Sequence, residues 1–167
     1  DRFGYKDRDG DGFRELPDGK PLVLKLASAP SAIDRQYDEL RKRSADAIGL
    51  KLEFVKQKWP DLLKAARLGQ LQAWRLGNIN THPEGFGFFG LLYGPNAGFS
   101  NLARFKLPEY DRLYVAARAL PDGAERQKLT RQMNDLVRNY APWVLLAFRL
   151  DNVVVQPWVL GYKFNPT

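Results

Sequence analysis

The chain has 167 residues, 44% hydrophobic, 13% aromatic and 27% charged, the balance of a folded globular protein and not of a disordered or fibrous one. It has no cysteine, which excludes thiolate nucleophiles, cysteine-type zinc sites and iron–sulfur clusters, and its single histidine, His82, excludes sites built from two imidazoles. Lys and Arg total 26 against 19 Asp and Glu, a formal net charge of +7 that raises nucleic acid or an anionic membrane as partners. The basic residues are spread, however. Arg41, Lys42, Arg43, Lys56, Lys58, Arg126, Lys128 and Arg131 are interleaved with acids and accompany no nucleic-acid signature, so they read as a solvated surface and no nucleic-acid partner is expected. No apolar run approaches the length of a membrane span, and no basic segment followed by an apolar core opens the chain. The expectation is a soluble protein, or a piece of something longer.

In chain order, residues 1–20 are rich in Asp and Gly, end in the turn signal Leu16-Pro17-Asp18-Gly19, and read as a loop. From Pro21 to Ala27 apolar and polar residues alternate, which predicts a strand with one face buried. Ser31 with Asp34 three residues on predicts a helix start, and Ile33, Tyr37, Leu40, Ala47 and Ile48 follow at helical spacing until Gly49. Leu50, Leu52 and Phe54 then alternate with Lys51, Glu53 and Val55, which predicts a second strand. Strand, helix and strand with short joins imply a parallel pair with a right-handed crossover. Trp59-Pro60-Asp61 predicts a short helix stopped at Gly69, and Leu71 to Leu76 a third strand.

Regular periodicity is lost from Gly77 to Asn101, where Gly85, Gly87, Gly90, Gly94 and Gly98 are interleaved with Phe86, Phe88, Phe89, Tyr93 and Phe99. Two readings stand: a ligand-binding loop, or a partly helical segment whose aromatics fill the core. Pro108 opens a helix bearing Tyr110, Leu113 and Ala117. Asp122 with Glu125 is the expected cap of another, with Leu129, Met133, Leu136, Val137 and Tyr140 on its apolar face and Pro142 at its end. Val144 to Phe148 predicts a strand covered on both faces, and residues 156–167 carry no pattern and are expected to leave the domain.

Three chemistries can be weighed. Asp7, Asp9 and Asp11 alternate, Gly12 follows, and Glu15 and Asp18 fall at the ninth and twelfth places, a spacing that resembles a calcium loop. The last ligand is Asp in place of a bidentate Glu and no helix enters the loop, so an acidic turn without metal is expected. His82 lies in Thr81-His82-Pro83-Glu84 with no Gly-x-Ser-x-Gly elbow in the chain, and Gly85-Phe86-Gly87 lacks the strand that gives phosphate-binding glycines their meaning. Catalysis is not expected, and no cofactor. Aromatic faces with amide side chains on glycine-rich backbone do suit a small ligand. Trp74, Asn78, Asn80, His82, Phe86 and Asn101 are the candidate contacts, and Arg75 and Arg104 could pair with a carboxylate or be solvated surface arginines.

The order of segments then carries a resemblance. The run from Gly4-Tyr5-Lys6-Asp7 to Arg14-Glu15 followed by Gly19-Lys20-Pro21-Leu22, the join Ala45-Asp46-Ala47-Ile48-Gly49-Leu50, the stretch from Asn101 through Pro108-Glu109-Tyr110-Asp111-Arg112-Leu113, Ala141-Pro142-Trp143-Val144 and the closing Val159-Leu160-Gly161-Tyr162 together resemble the family 5 extracellular solute-binding proteins of ABC importers, the oligopeptide- and dipeptide-binding type. The resemblance implies an α/β fold, a mixed sheet flanked by helices, forming one lobe of a two-lobed periplasmic binding protein. It implies that residues 1–155 are the C-terminal ligand-binding lobe and 156–167 an exit segment leading back toward a missing N-terminal lobe of the same chain. It further implies a small-molecule or peptide ligand, a partner ABC permease in the inner membrane, and a periplasmic, or extracellular and membrane-associated, location. Family members that bind peptides commonly place an aspartate after a Gly-Trp to meet the ligand's α-amino group. Between Trp74 and Asp111 this chain has only Glu84 and Glu109, so that ammonium contact is not expected here. The rival reading is a free-standing basic nucleic-acid-binding domain, and a second is a calcium-dependent module.

Overall fold

The alternation after Pro21 becomes strand β1 (Val23–Ser28), the Ser31 start becomes α1 (Ala32–Asp46), and β2 (Lys51–Lys56), α2 (Trp59–Leu68) and β3 (Ala73–Trp74) follow. These positions come from a computed structural model that describes residues 2–78, 85–146 and 154–163. The chain divides into two compact units, Asp1–Asn78 and Ile79–Thr167.

In the first unit the three strands form a parallel sheet in the order β2-β1-β3. Leu24 lies opposite Leu52, Leu26 opposite Phe54 and Ala73, and Ala27 opposite Val55 and Trp74. The chain starts in the central strand, crosses through α1 to β2 at one edge and returns through α2 past β1 to β3 at the other, so the strand order reverses about β1. The Ser31 hydroxyl caps α1, accepting from the Asp34 backbone N–H at 3.0 Å. Pro60 sits in the first turn of α2, and Gly69 closes that helix at φ 72, a left-handed conformation in which its lack of a Cβ avoids strain.

Two expectations are corrected here. The third strand is two residues long, not six, because the Gln72 side-chain oxygen accepts the Lys25 N–H at 2.8 Å and takes the place of a further backbone rung. The apolar face read from α1 is also not its buried face. Ile33, Leu40 and Ile48 are all more than half exposed, whereas Asp34, Asp38 and Ala45 are buried. Charged side chains turn inward because they find ionic partners there, described below.

The second unit begins its described part with two 3₁₀ turns, Phe86–Leu92 and Gly94–Asn96, followed by α3 (Pro108–Arg118) and α4 (Ala124–Tyr140). Its core gathers Phe86, Leu92, Tyr110, Ala117 and Met133, with Phe89, Phe105, Leu113, Tyr114, Leu129, Leu136, Val137 and Trp143 packed around them. The aromatic segment thus follows the core-filling reading over its 3₁₀ turns. The expected cap at Asp122 is replaced by Gly123, which offers no side-chain bond to the first turn of α4. Val144, Leu145 and Leu146, the described part of the last expected strand, are irregular and more than half exposed. A strand covered on both faces needs neighbours to complete its backbone hydrogen bonds, and none pairs with this run among the described residues. Phe148 lies outside them.

Candidate functional site

The parallel strands of the first unit end together: Ser28 lies opposite Lys56, and Trp74 one rung earlier opposite Ala27. The connections that follow therefore collect at one edge, where α/β sheets place their ligand sites. Trp74 meets Trp59 of α2 with ring centroids 6.0 Å apart, whereas the next residue, Arg75, reaches α1. Alternate side chains leave a strand on opposite faces, so the two helices are engaged from opposite sides of this edge.

On the α1 side lies a network of five charges. Arg75 Nη2 is 2.5 Å from Asp34 Oδ1, and the other Asp34 oxygen accepts from the Ser31 hydroxyl at 2.6 Å. Asp38 accepts from the Ser28 hydroxyl at 2.7 Å and pairs with Lys56 through the same oxygen, while Arg41 stands 4.0 Å from its second oxygen. Asp34 and Asp38 are 9% and 5% exposed. The Tyr37 ring carries both guanidiniums, Arg75 at 4.7 Å and Arg41 at 5.8 Å from its centroid. Burial opposes ionisation of Asp34, but the Ser31 hydroxyl and the Arg75 guanidinium outweigh it and hold the carboxyl below the usual carboxylate range. Burial, followed by the charge of Arg75, pulls the Arg41 guanidinium below its ordinary value. The spacing of Asp34, Asp38, Arg41 and Ala45 along one face of α1 was the available sequence signal for this cluster; a search for apolar periodicity passes over it.

The candidate contacts named from the sequence fall in different places. Trp74 is half-buried at this edge and Asn78 is exposed at the end of the first unit. Asn80 and His82 lie outside the described residues. In the second unit Phe86 is buried, stacked on Tyr114 with centroids 5.6 Å apart and covered by the Arg126 guanidinium at 4.0 Å. Asn101 is fully buried. Its amide donates to the Tyr93 and Phe105 carbonyls at 3.1 and 2.8 Å and accepts from the Phe105 N–H at 3.2 Å, so it is committed to closing its own loop.

Of the acidic residues near the start of the chain, Asp7, Asp9, Asp11 and Glu15 each bring one oxygen within 4.8 Å of the others. Asp18 is absent from that group and pairs with Lys20 at 2.7 Å. Asp7 accepts from the N–H groups of Gly10 and Gly12 at 2.7 and 3.0 Å, Asp11 from Phe13 at 2.8 Å, and the buried Glu15 from Arg8 at 2.7 Å. Backbone bridges from Glu15 to Lys6 and Pro21 tie the segment down. This is the order of a self-closing acidic turn.

No protein-family model matches the chain. Among curated proteins, heme-binding protein A of Haemophilus influenzae is 37% identical over 121 residues, 71% of this chain and 22% of that protein. The dipeptide-binding protein of Escherichia coli is 25% identical over 182 residues, 98% of this chain and 34% of that protein. Among solved structures, the periplasmic oligopeptide-binding protein of an oligopeptide ABC transporter from Thermotoga maritima superposes with a TM-score of 0.74 at 18% identity, over 84% of this chain and 28% of that one, a likeness of fold. The chain spans 22% and 34% of the lengths of these two curated relatives.

Proposed function

From the premise that this chain is a segment of the family 5 extracellular solute-binding type that serves ABC importers, we propose that residues 1–155 form the ligand-binding lobe of such a protein, with 156–167 as the exit toward a second lobe. The whole protein works in the periplasm, closes over a peptide or another small solute, and delivers it to an ABC permease. Its role is capture and not catalysis. The carrying observation is the match at 37% identity over most of this chain and about a fifth of a solute-binding relative, joined to the likeness of fold. The connection leaving β3 supplies the solute contacts, through Trp74, Asn78, Asn80 and His82, while Phe86 and Asn101 hold the second unit in shape. Closure of two lobes on a ligand is a hinge motion, so affinity belongs to the complete protein.

Expression of the full-length gene product, followed by denaturation and mass spectrometry of what it releases, tests this reading. A small molecule recovered in near-equal amount with the protein is the expected result. Failure to release one, with no tryptophan-fluorescence response to peptides, heme or organic acids, would overturn it. The comparisons do not favour a free-standing nucleic-acid-binding domain. A DNA affinity that falls steeply with salt would revive that rival.

A further inference from the structure

Two rungs tie β3 to the sheet, Leu26 with Ala73 and Ala27 with Trp74, and residues 75–78 beyond it form neither helix nor strand. Side chains therefore set the direction in which the chain leaves. Trp74 meets the ring of Trp59, the first residue of α2, while Arg75 pairs with Asp34 at 2.5 Å and lies over the Tyr37 ring of α1 at 4.7 Å from its centroid. Two consecutive residues thus grip a helix on each face of the sheet. The α1 side of this grip is polar. Ile33 and Leu40 are more than half exposed, and the helix turns Asp34 and Asp38 inward instead. The second Asp34 oxygen accepts from the Ser31 hydroxyl at the helix cap. One Asp38 oxygen accepts from Ser28, the last residue of β1, and pairs with Lys56, the last residue of β2. Its other oxygen is buried without a hydrogen-bond partner, 4.0 Å from the Arg41 guanidinium, and the Arg75 Nε is buried and unmet as well. Asp38 fastens α1 to β1 and β2, and the Asp34–Arg75 pair alone in this cluster joins the helix to the chain beyond β3. A charge-assisted bond of this kind is roughly twice as strong as a neutral one, so it governs a strand end that has only two rungs.

We propose that Arg75 is a positioning residue for solute capture: paired with Asp34 and stacked on Tyr37, it fixes the path of the connection leaving β3 and so holds Asn78, three residues on, ready for the solute. This rests on the solute-binding reading above and deepens it. Arg75 acts through the backbone that follows it and does not touch the solute. A connection already held in its bound path spares the solute the entropy of ordering it, which raises affinity without any new contact. Asp34 and Ser31 belong to the same device, since the N-cap hydroxyl holds the carboxylate that holds Arg75.

The test uses the full-length protein as wild type, as Arg75→Gln, and as Tyr110→Phe, a variant weakened in the second unit with this cluster intact. Backbone NMR order parameters are measured along β1, β2 and residues 75–78, and the co-purified solute kept through dialysis is quantified by mass spectrometry after denaturation. The expected result for Arg75→Gln is a fall at 75–78 from about 0.85 to below about 0.6, with β1 and β2 unchanged, and about tenfold less solute kept. Tyr110→Phe should change neither. Order parameters at 75–78 already below about 0.6 in the wild type, or an Arg75→Gln loss spread equally over β1 and β2, would overturn the proposal. So would loss of solute by Tyr110→Phe to the same extent. Solute kept equally by wild type and Arg75→Gln overturns the positioning role and leaves solute capture standing, whereas a wild type that holds no solute overturns both. Should Arg75→Gln fail to fold, Asp34→Asn, which weakens the same pair and keeps an acceptor for Ser31, decides by the same two measurements.

Discussion

The carboxylate of Asp111 on α3 accepts the backbone N–H of Gly94 at 2.7 Å, and a Cβ on Gly94 would stand 2.5 Å from its other oxygen. The contact pins the second 3₁₀ turn to the start of α3 and leaves no room for a methyl group. The same aspartate lies in the Pro108-to-Leu113 stretch that carries part of the family resemblance, so at least one residue of that pattern has a structural task.

Gly94→Ala should therefore destabilise the protein by about 1–3 kcal/mol, because the new methyl displaces the carboxylate and breaks its hydrogen bond. Asp111→Asn keeps an acceptor oxygen and should lose less. Urea-unfolding midpoints of the two variants give the ranking, and an unchanged midpoint for Gly94→Ala would show that the carboxylate is not fixed against the turn.

Asn101→Ala should lower stability by at least about 2 kcal/mol, since the Tyr93 and Phe105 carbonyls and the Phe105 N–H would lose a buried partner together. Asn101→Asp should fare as badly, because a carboxylate cannot donate to either carbonyl. Thermal unfolding measures both. If Asn101 instead touched the solute, stability would hold and only ligand retention would fall.

Tyr110 is fully buried and its hydroxyl donates to the Phe89 carbonyl at 2.9 Å. Burial pushes its phenol well above the ordinary tyrosine value, with Tyr114 and Asp111 adding to the effect. A folded-state value above the unfolded one means that its stabilising effect is complete below about pH 10 and is lost as the pH rises further. Tyr110→Phe should cost about 1 kcal/mol at neutral pH and flatten the alkaline limb of the stability profile. Ultraviolet difference titration should show one tyrosine that ionises only on unfolding.

Asp34 gives the opposite sign. Its carboxyl is held below the unfolded value by Ser31 and Arg75 against the opposing effect of burial, so its contribution is present above about pH 4 and fades as the pH falls toward the folded value. Asp34→Asn should flatten the acid limb, and Ser31→Ala should both flatten it and remove a helix cap worth about 1 kcal/mol. Acid-unfolding curves of the two variants at matched ionic strength provide the check.

How much of this was legible in the chain depends on the range of the signal. The Ser31 start, the Gly69 stop, the Pro108 opening and the strand-helix-strand order with its parallel pairing all follow from neighbouring residues, and all appear in the structure. The acidic turn also followed from local spacing, though Asp18, five residues beyond Phe13, was drawn away by Lys20. Gln72 falls inside the strand predicted for 71–76 because nothing in its own neighbourhood says that its side chain will take the Lys25 N–H. Asn101 looked like a ligand contact for the same reason. An amide in a glycine-rich loop has one appearance in sequence whether it faces a cleft or its own backbone.

By itself the sequence determined the order of elements from β1 to α4, the Ser31 cap and the Gly69 stop, because these depend on dihedral preference and periodicity over a few residues. Only the tertiary structure decided which face of α1 is buried and what Arg75 pairs with. Asp34 and Arg75 lie 41 residues apart and meet because β1 and β3 are neighbours in the sheet. A buried charge is tolerated only when its partner arrives, and that arrival is a property of the packed chain.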